Sequence, residues 1–283
     1  MTRFIYLSDT HTGTTPVGYQ HQPSFPERTE ALLAALESWI AERGDIDFVL
    51  HGGDMVNGGT RDNIRRAISM FRLSVPLYLC LGNHDLSAPD SLDIWMSEAP
   101  AFFVNANPNF MIEHGHGRIC VMPNQWGTTP YRWEEEQRPH FTPDQWTWLE
   151  QETSQGKDFQ IFVTHSPVQG ISTAQSGFSE PYHCPPKAFV ADISRISAMS
   201  PSLRCVAGAH NHINSYHESE GIHFFTVSSF VESPFEFKLM EIDRDGIRMT
   251  THNLATSAPF AWQYDFDKTF VQGRACDRAF ESY

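Results

Sequence analysis

The 283-residue sequence predicts a layered α/β fold, on three observations. Short apolar runs bounded by turn residues alternate with stretches of helical period, the order expected where helices cover a sheet. Each early strand runs into a polar cluster. In the last third the period shortens, as it does in antiparallel strands.

Residues 4–7 read as a buried first strand, 27–42 as an amphipathic helix, 47–51 as a strand, 61–71 as a helix and 77–81 as a strand. Those strands end at Ser8-Asp9-Thr10-His11, Gly52-Gly53-Asp54 and Gly82-Asn83-His84-Asp85. Ligands gather beyond the carboxyl ends of strands in open α/β sheets, so these clusters mark the expected site. The device repeats with a strand over 119–122, a helix over 142–153, a strand over 159–164 running into His165, and 203–207 running into His210. Residues 222–227, 235–242 and 246–252 predict an antiparallel series closing a second sheet, with Asp243-Arg244-Asp245-Gly246 as its turn. Glu134-Glu135-Glu136 reads as a solvated helix edge. Residues 166–186, rich in Gly, Ser and Pro, are long for an internal connection and predict either a substrate loop or a surface excursion. Beyond a catalytic domain over 1–252, residues 253–283 form a tail carrying Trp262, Tyr264, Phe266, Phe270, Phe280 and Tyr283. Rings are costly to leave in water, so the tail must pack on that domain or on a neighbouring subunit.

Lys plus Arg number 20 against 34 Asp plus Glu, and the resulting charge of −14 has the wrong sign for gripping a long nucleic acid. A small substrate fits better. Cys80, Cys120, Cys184, Cys205 and Cys276 are scattered, odd in number and free of CxxC spacing, which argues against a disulfide framework or a zinc ribbon. They read as reduced packing residues, although an exposed one could bridge subunits of a homo-oligomer. The first residues lack the features of a secretory signal, and no apolar run is long enough to span a bilayer. A soluble cytoplasmic protein without a membrane partner is expected.

Taken singly, each polar cluster has a bland reading, since a histidine near a strand end is more often a hydrogen-bonded core residue than a ligand. Together they offer a metal cage. Asp9 and His11 sit two apart, so strand alternation would point both side chains the same way. Asp54 follows two glycines, which let the backbone turn and leave room for a carboxylate that bridges two ions. Asn83 offers an amide oxygen, and His165, His210 and His212 offer imidazoles, the last two again spaced to share a side. Carboxylate, imidazole and amide donors without thiolate favour two divalent ions such as Mn, Fe, Zn or Co, with Mg possible. Two ions about 3.5–4 Å apart suit phosphoryl displacement, in which a bridging hydroxide attacks while both ions neutralise phosphate oxygens.

The ordered set Asp9-x-His11, Gly53-Asp54, Gly82-Asn83-His84-Asp85, His165 and His210-x-His212 resembles the calcineurin-like metallophosphoesterase superfamily. Its intervals are most similar to the bacterial cyclic-nucleotide phosphodiesterase and glycerophosphodiesterase branch. The resemblance implies a four-layer α/β/β/α sandwich with the site at the sheet edges. It implies one metal on Asp9, His11, Asp54 and His212 and another on Asp54, Asn83, His165 and His210. It also implies that His84 contacts the phosphate or protonates the leaving oxygen, with Asp85 orienting its ring. Two departures stand out. Ala209 precedes His210 where the family has glycine, and Thr164-His165-Ser166-Pro167 lacks the paired histidines common in the fourth block.

Of the nine other histidines most read as surface or packing residues, His183 beside Tyr182 in the long loop being the exception. Asn124, Gln125 and Trp126 follow a strand end and could hold a polar or planar substrate portion, with Trp126 as ordinary packing the stronger reading. The function expected is hydrolysis of a small phosphodiester. A phosphomonoesterase is the second reading and a non-catalytic scaffold of the same fold the third; a scaffold has no need of the complete donor set present here.

Overall fold

In chain order the elements are β1 (Thr2–Leu7), α1 (Thr29–Arg43), β2 (Phe48–His51), α2 (Arg61–Met70), β3 (Leu77–Leu79), α3 (Ser91–Glu98), β4 (Phe110–His114), β5 (Gly117–Val121) and α4 (Pro143–Thr153). They continue with β6 (Ile161–Val163), α5 (Thr173–Ser176), α6 (Lys187–Met199), β7 (Cys205–Gly208), β8 (Ser215–Ser219), β9 (Ile222–Thr226), β10 (Glu236–Ile242), β11 (Ile247–Asn253), α7 (Ala275–Arg278) and β12 (Ala279–Ser282). The computed structural model describes residues 1–15, 19–154 and 156–282, so Tyr283 of the aromatic tail lies outside the described residues.

Two six-stranded mixed sheets result, ordered β12-β11-β10-β1-β2-β3 and β4-β5-β6-β7-β9-β8. Side-chain alternation sets the layers. In the second sheet Ile119, Val121, Ile161, Val163, Cys205 and Ala207 join the core shared with the first sheet, while Cys120, Phe162 and Val206 point the other way. That outer face is covered by Leu149 of α4 and by Phe189, Ile193 and Ile196 of α6. Residues 4–7 of β1 are buried on both faces, and Leu32, Leu36 and Ile40 of α1 join Ile64 and Ala67 of α2 in the same core cluster. Tyr6 ties the sheets together, its hydroxyl donating to the Gly208 carbonyl at 3.1 Å and its ring meeting Phe225 edge-on at 5.6 Å. The architecture is therefore two mixed sheets flanked by helices.

Local chemistry sets several ends. Thr142 and Gln145 form a reciprocal capping box at the start of α4, where Pro143 occupies the first turn. Gly44, at φ 68°, closes α1 in the left-handed region.

Two expectations are corrected. The hairpin β10–β11 does not close the second sheet: β10 pairs antiparallel with β1, Phe4 opposite Met240, and so extends the first. Of the three strands expected there only β9 joins the second sheet, parallel to β7. Glu134 and Glu135 lie in a bend rather than on a helix, and Arg132 pairs with Glu134 there.

Beyond β11 the chain lies against its own sheets. Phe260 and Trp262 pack on Phe235 at 5.6 and 5.8 Å, and Phe280 of the edge strand β12 stacks on His223 at 4.5 Å. Phe266 stays 80% exposed. Asp277 holds this segment down. It is fully buried and accepts from the Arg274 backbone at 2.7 Å, from the Arg274 guanidinium at 2.8 and 3.1 Å, and from Tyr216 N at 3.0 Å. Asp277→Ala leaves those donors unpaired and is expected to destabilise by about 3 kcal/mol, read as a lower urea midpoint with an unchanged slope.

Candidate metal centre

The first donors all follow parallel strands of the first sheet: Asp9 and His11 after β1, Asp54 after β2, Asn83 after β3. The others follow the second sheet, His165 after β6 and His210 and His212 after β7. Carboxyl ends from both sheets meet at one rim, and all seven residues converge there. Three overlapping clusters form, Asp9 with His11 and His212, Asp54 with His165 and His210, and His11 with Asp54 and His84, each with its donor atoms within 4.8 Å of one another.

The convergence does not come from strand alternation. Asp9, His11, Asp54, His210 and His212 have φ of 57°, 43°, 52°, 69° and 55°, left-handed conformations for five residues that are not glycine. Each such residue costs about 1–3 kcal/mol and persists only where its surroundings hold it. Asp and His tolerate this region better than most side chains, which suits them to a turn that must also present a donor. Two glycines make the room. A side-chain carbon on Gly53, at φ 116°, would stand 2.3 Å from His165 Nδ1, and one on Gly82 would stand 2.2 Å from Asp54 Oδ1. Ala209 is accommodated, its backbone N–H donating to the His165 carbonyl at 2.9 Å.

Hydrogen bonds fix which atom of each ring faces inward. His165 donates from Nδ1 to the Gly52 carbonyl at 2.8 Å, leaving Nε2 at 3.2 Å from Asp54 Oδ2. His212 donates from Nδ1 to Glu232 at 2.6 Å, and His11 Nδ1 lies 3.1 Å from the Tyr19 hydroxyl. Both remaining Nε2 atoms, from His11 and His212, then confront each other at 3.2 Å. Two imidazole lone pairs that close repel unless a proton or a cation lies between them. His210 Nδ1 lies 3.1 Å from Asn83 Oδ1.

The charges agree with a cation-demanding site. Burial opposes protonation of His212, yet the Asp9 and Glu232 carboxylates raise it to about 10. Burial likewise opposes His165, which Asp54 lifts to about 9. Burial pushes His11 and His210 well below the usual histidine range. Asp9 Oδ1 and His165 Nε2 are buried without any hydrogen-bond partner. Orphaned donors of this kind, in a set of hard and borderline ligands, fit a pair of divalent ions.

Glu232 and Tyr19 carry no sequence signal of their role. Glu232 is buried between two ties, its Oε2 accepting from the backbone of His21 and Gln22 at 3.0 and 2.7 Å while Oε1 orients His212. Glu232→Gln is expected to lower metal affinity by about 10–100-fold, measured by calorimetric titration. Full affinity in that variant would remove Glu232 from the site.

Asp85 does not orient His84. Its two oxygens accept from Val56 N at 3.0 Å and Gly82 N at 2.9 Å, so it clasps the loops that carry Asp54 and Asn83. Burial and the neighbouring Asp54 charge raise its pKa to about 8. His84 is held by the Asn57 carbonyl, 3.0 Å from Nδ1, and its backbone N–H donates to Asp54 Oδ1 at 2.8 Å. The ring of Trp133 covers it at 4.7 Å.

A cavity of about 570 Å³ opens over the centre. His84, Tyr182 and His183 line it, whereas Asn124, Gln125 and Trp126 do not. Asn124 Oδ1 instead accepts from Ser166 N at 2.8 Å, the Gln125 and His140 backbones pair, and Trp126 backs His210 at 4.5 Å. These three are structural supports.

Among solved structures, the chain is similar to a dimetal phosphatase from Danio rerio, at a TM-score of 0.67 and 15% identity over 89% of this chain and 96% of that one. It is similar to GAP50, the anchor in the inner membrane complex of Plasmodium, at a TM-score of 0.58 and 12% identity over 97% and 90%. A 5′-nucleotidase from Candida albicans matches at 0.56 and 14% identity over 96% of this chain and 55% of that one. Identities this low speak for the fold alone. No curated protein matches by sequence. The family model for calcineurin-like phosphoesterases matches residues 2–214, a span that starts at β1 and takes in every donor from Asp9 to His212. The chain belongs to the calcineurin-like phosphoesterase family.

Proposed function

We propose that the chain hydrolyses a small phosphodiester, of the cyclic-nucleotide or glycerophosphodiester type, at a dinuclear metal centre. Asp9, His11, Asp54 and His212 would hold one divalent ion and Asp54, Asn83, His165 and His210 the other. The carrying observation is the pair of donor clusters that meet at Asp54, where Asp9 Oδ1 and His165 Nε2 are buried without a hydrogen-bond partner. Two bound divalent ions supply Lewis acidity to phosphoryl oxygens and a water acidic enough to act as nucleophile near neutral pH.

The chain's own residues do the rest. His84 lines the cavity and donates from Nδ1 to the Asn57 carbonyl, so Nε2 is the atom that serves a leaving oxygen. An alkoxide leaving group gains more from that proton than a phenolate does. Trp133 over His84, and the rings of Tyr182 and His183, limit water at the reacting group. A cytoplasmic location belongs to the same proposal, supported by five unpaired cysteines, three of them buried.

Protein loaded with Mn, Zn or Fe is expected to cleave bis(p-nitrophenyl) phosphate, with activity lost on chelation and restored by the ion. Cleavage of monoesters but no diester would sink the diesterase reading. A phosphomonoesterase is the second reading, favoured by the dimetal phosphatase and the 5′-nucleotidase among the fold's relatives. The same substrate panel separates the two.

A further inference from the structure

The cavity is far larger than one phosphate group needs, and its outer wall comes from segments outside the donor motifs. One is the Tyr182–His183 pair. The other is the turn Phe266–Gln272, which carries Lys268. We propose that this wall is an anion subsite: the substrate is a phosphoester bearing a second negative group, a carboxylate or a further phosphate, that pairs with Lys268. The proposal rests on the phosphoesterase reading above.

Charge is the first argument. The chain carries −14, and among the described residues lining the cavity Lys268 is the sole Lys or Arg. An anionic tail entering this cavity has one cation to meet apart from the metal centre.

Construction is the second. Gln22 is 3% exposed, and its Nε2 donates to the carbonyls of both Asp265 and Lys268 at 3.0 Å while its Oε1 accepts from Asp265 N at 2.9 Å. The root of the lysine is thereby locked to residues 21–22. Those same residues donate their backbone N–H groups to Glu232, which orients His212. One short series of hydrogen bonds therefore sets the lysine's root against the metal centre. The ammonium itself is held loosely, 3.6 Å from Asp265 and 46% exposed, and such a pair contributes so little that a substrate anion can replace Asp265.

The Tyr182–His183 segment is equally fixed. Ile171 and Tyr182 exchange backbone hydrogen bonds of 2.7 and 2.9 Å across the long loop. Gln175 ties that loop to the Lys268 turn, donating from Nε2 to the carbonyls of Asn214 and Phe270 at 2.7 and 2.9 Å. His183 is held at φ 52°, a conformation that its surroundings must enforce. His21, between the two segments, packs on Tyr182 and Phe270 at 6.0 Å each. Of these rings His21 and Tyr182 line the cavity and offer an uncharged flank for the carbon skeleton that joins the two anions.

Metal-loaded protein is assayed on p-nitrophenyl phosphodiesters whose second ester group is ethyl, carboxyalkyl or phosphoalkyl, in tails of increasing length. Binding of ethylphosphonate and 2-carboxyethylphosphonate is followed in parallel by calorimetry. An anionic tail of suitable length is expected to raise kcat/KM about tenfold over the ethyl ester, and Lys268→Met to bring the charged esters down to the neutral level. Lys268→Arg should keep the preference. The carboxylate and phosphate series say which anion the subsite takes. Equal kcat/KM for charged and neutral tails, or a preference that survives Lys268→Met, overturns the subsite. Failure to cleave any ester, together with a Lys268-dependent preference for the carboxylated phosphonate, keeps the subsite and overturns the hydrolase reading instead.

Discussion

Asp54→Ala is expected to reduce turnover by at least about a thousandfold and to cut bound metal from two ions per chain to one or none. The carboxylate is the meeting point of the site. Its Oδ2 faces His165 Nε2 at 3.2 Å and His11 Nε2 at 4.0 Å, from opposite sheets, and its Oδ1 accepts the His84 backbone N–H at 2.8 Å. Removing it deletes a donor shared by both clusters and frees the loop that presents His84. The imidazole of His165, raised in pKa chiefly by Asp54, loses most of the negative charge that balances it. Asp54→Asn keeps size and an oxygen donor, so it separates charge from folding: a folded Asn variant with the same loss of metal assigns the effect to the carboxylate. Unchanged turnover in either variant would place the chemistry elsewhere.

His84→Ala is expected to lower kcat/KM by about 10²–10⁴-fold for diesters that release an alkoxide, and far less for p-nitrophenyl esters. Nitrophenolate departs without a proton, whereas an alkoxide does not. His84 is anchored at both ends, by Asn57 through its ring and by Asp54 through its backbone, and Ser87 Oγ donates to its carbonyl at 3.0 Å. Truncation should therefore leave the loop in place. An equal loss on both leaving groups would make His84 a phosphate contact rather than an acid.

The seven residues that converge on the candidate centre stand out in sequence because each follows the end of a strand that is itself legible as an apolar run. β2, β6 and β7 are buried throughout and β1 at every residue but Arg3, so nearly continuous hydrophobicity marks them and the first polar residue marks their ends. The backbone that aims the donors was not legible. Spacing of two suggests alternation, but His11 and His212 lie past their strands, in left-handed conformations.

Sheet assignment failed for a related reason. Alternation in 235–242 and 246–252 specifies a hairpin but not the strand it joins, and β10 finds β1, which lies more than two hundred residues earlier. Shorter or more exposed elements were missed: β4, β8, β12, the short helix α3, and α6 behind the long loop. β8 has the burial of only its first residue to declare it. Glu232, Tyr19 and Asp85 show the limit at the site. Which partner each one takes depends on contacts made across the fold, so the roles of the first two had no local signature and that of Asp85 was misassigned to His84.

The most direct measurement is anomalous diffraction from crystals of the Mn- or Zn-loaded protein, with metal content determined on the same preparation. Two peaks about 3.5–4 Å apart are expected, with Asp54 reaching both, His11 and His212 on one and His165 and His210 on the other. A single peak, or metal bound away from Asp54, would contradict a dinuclear centre in this chain.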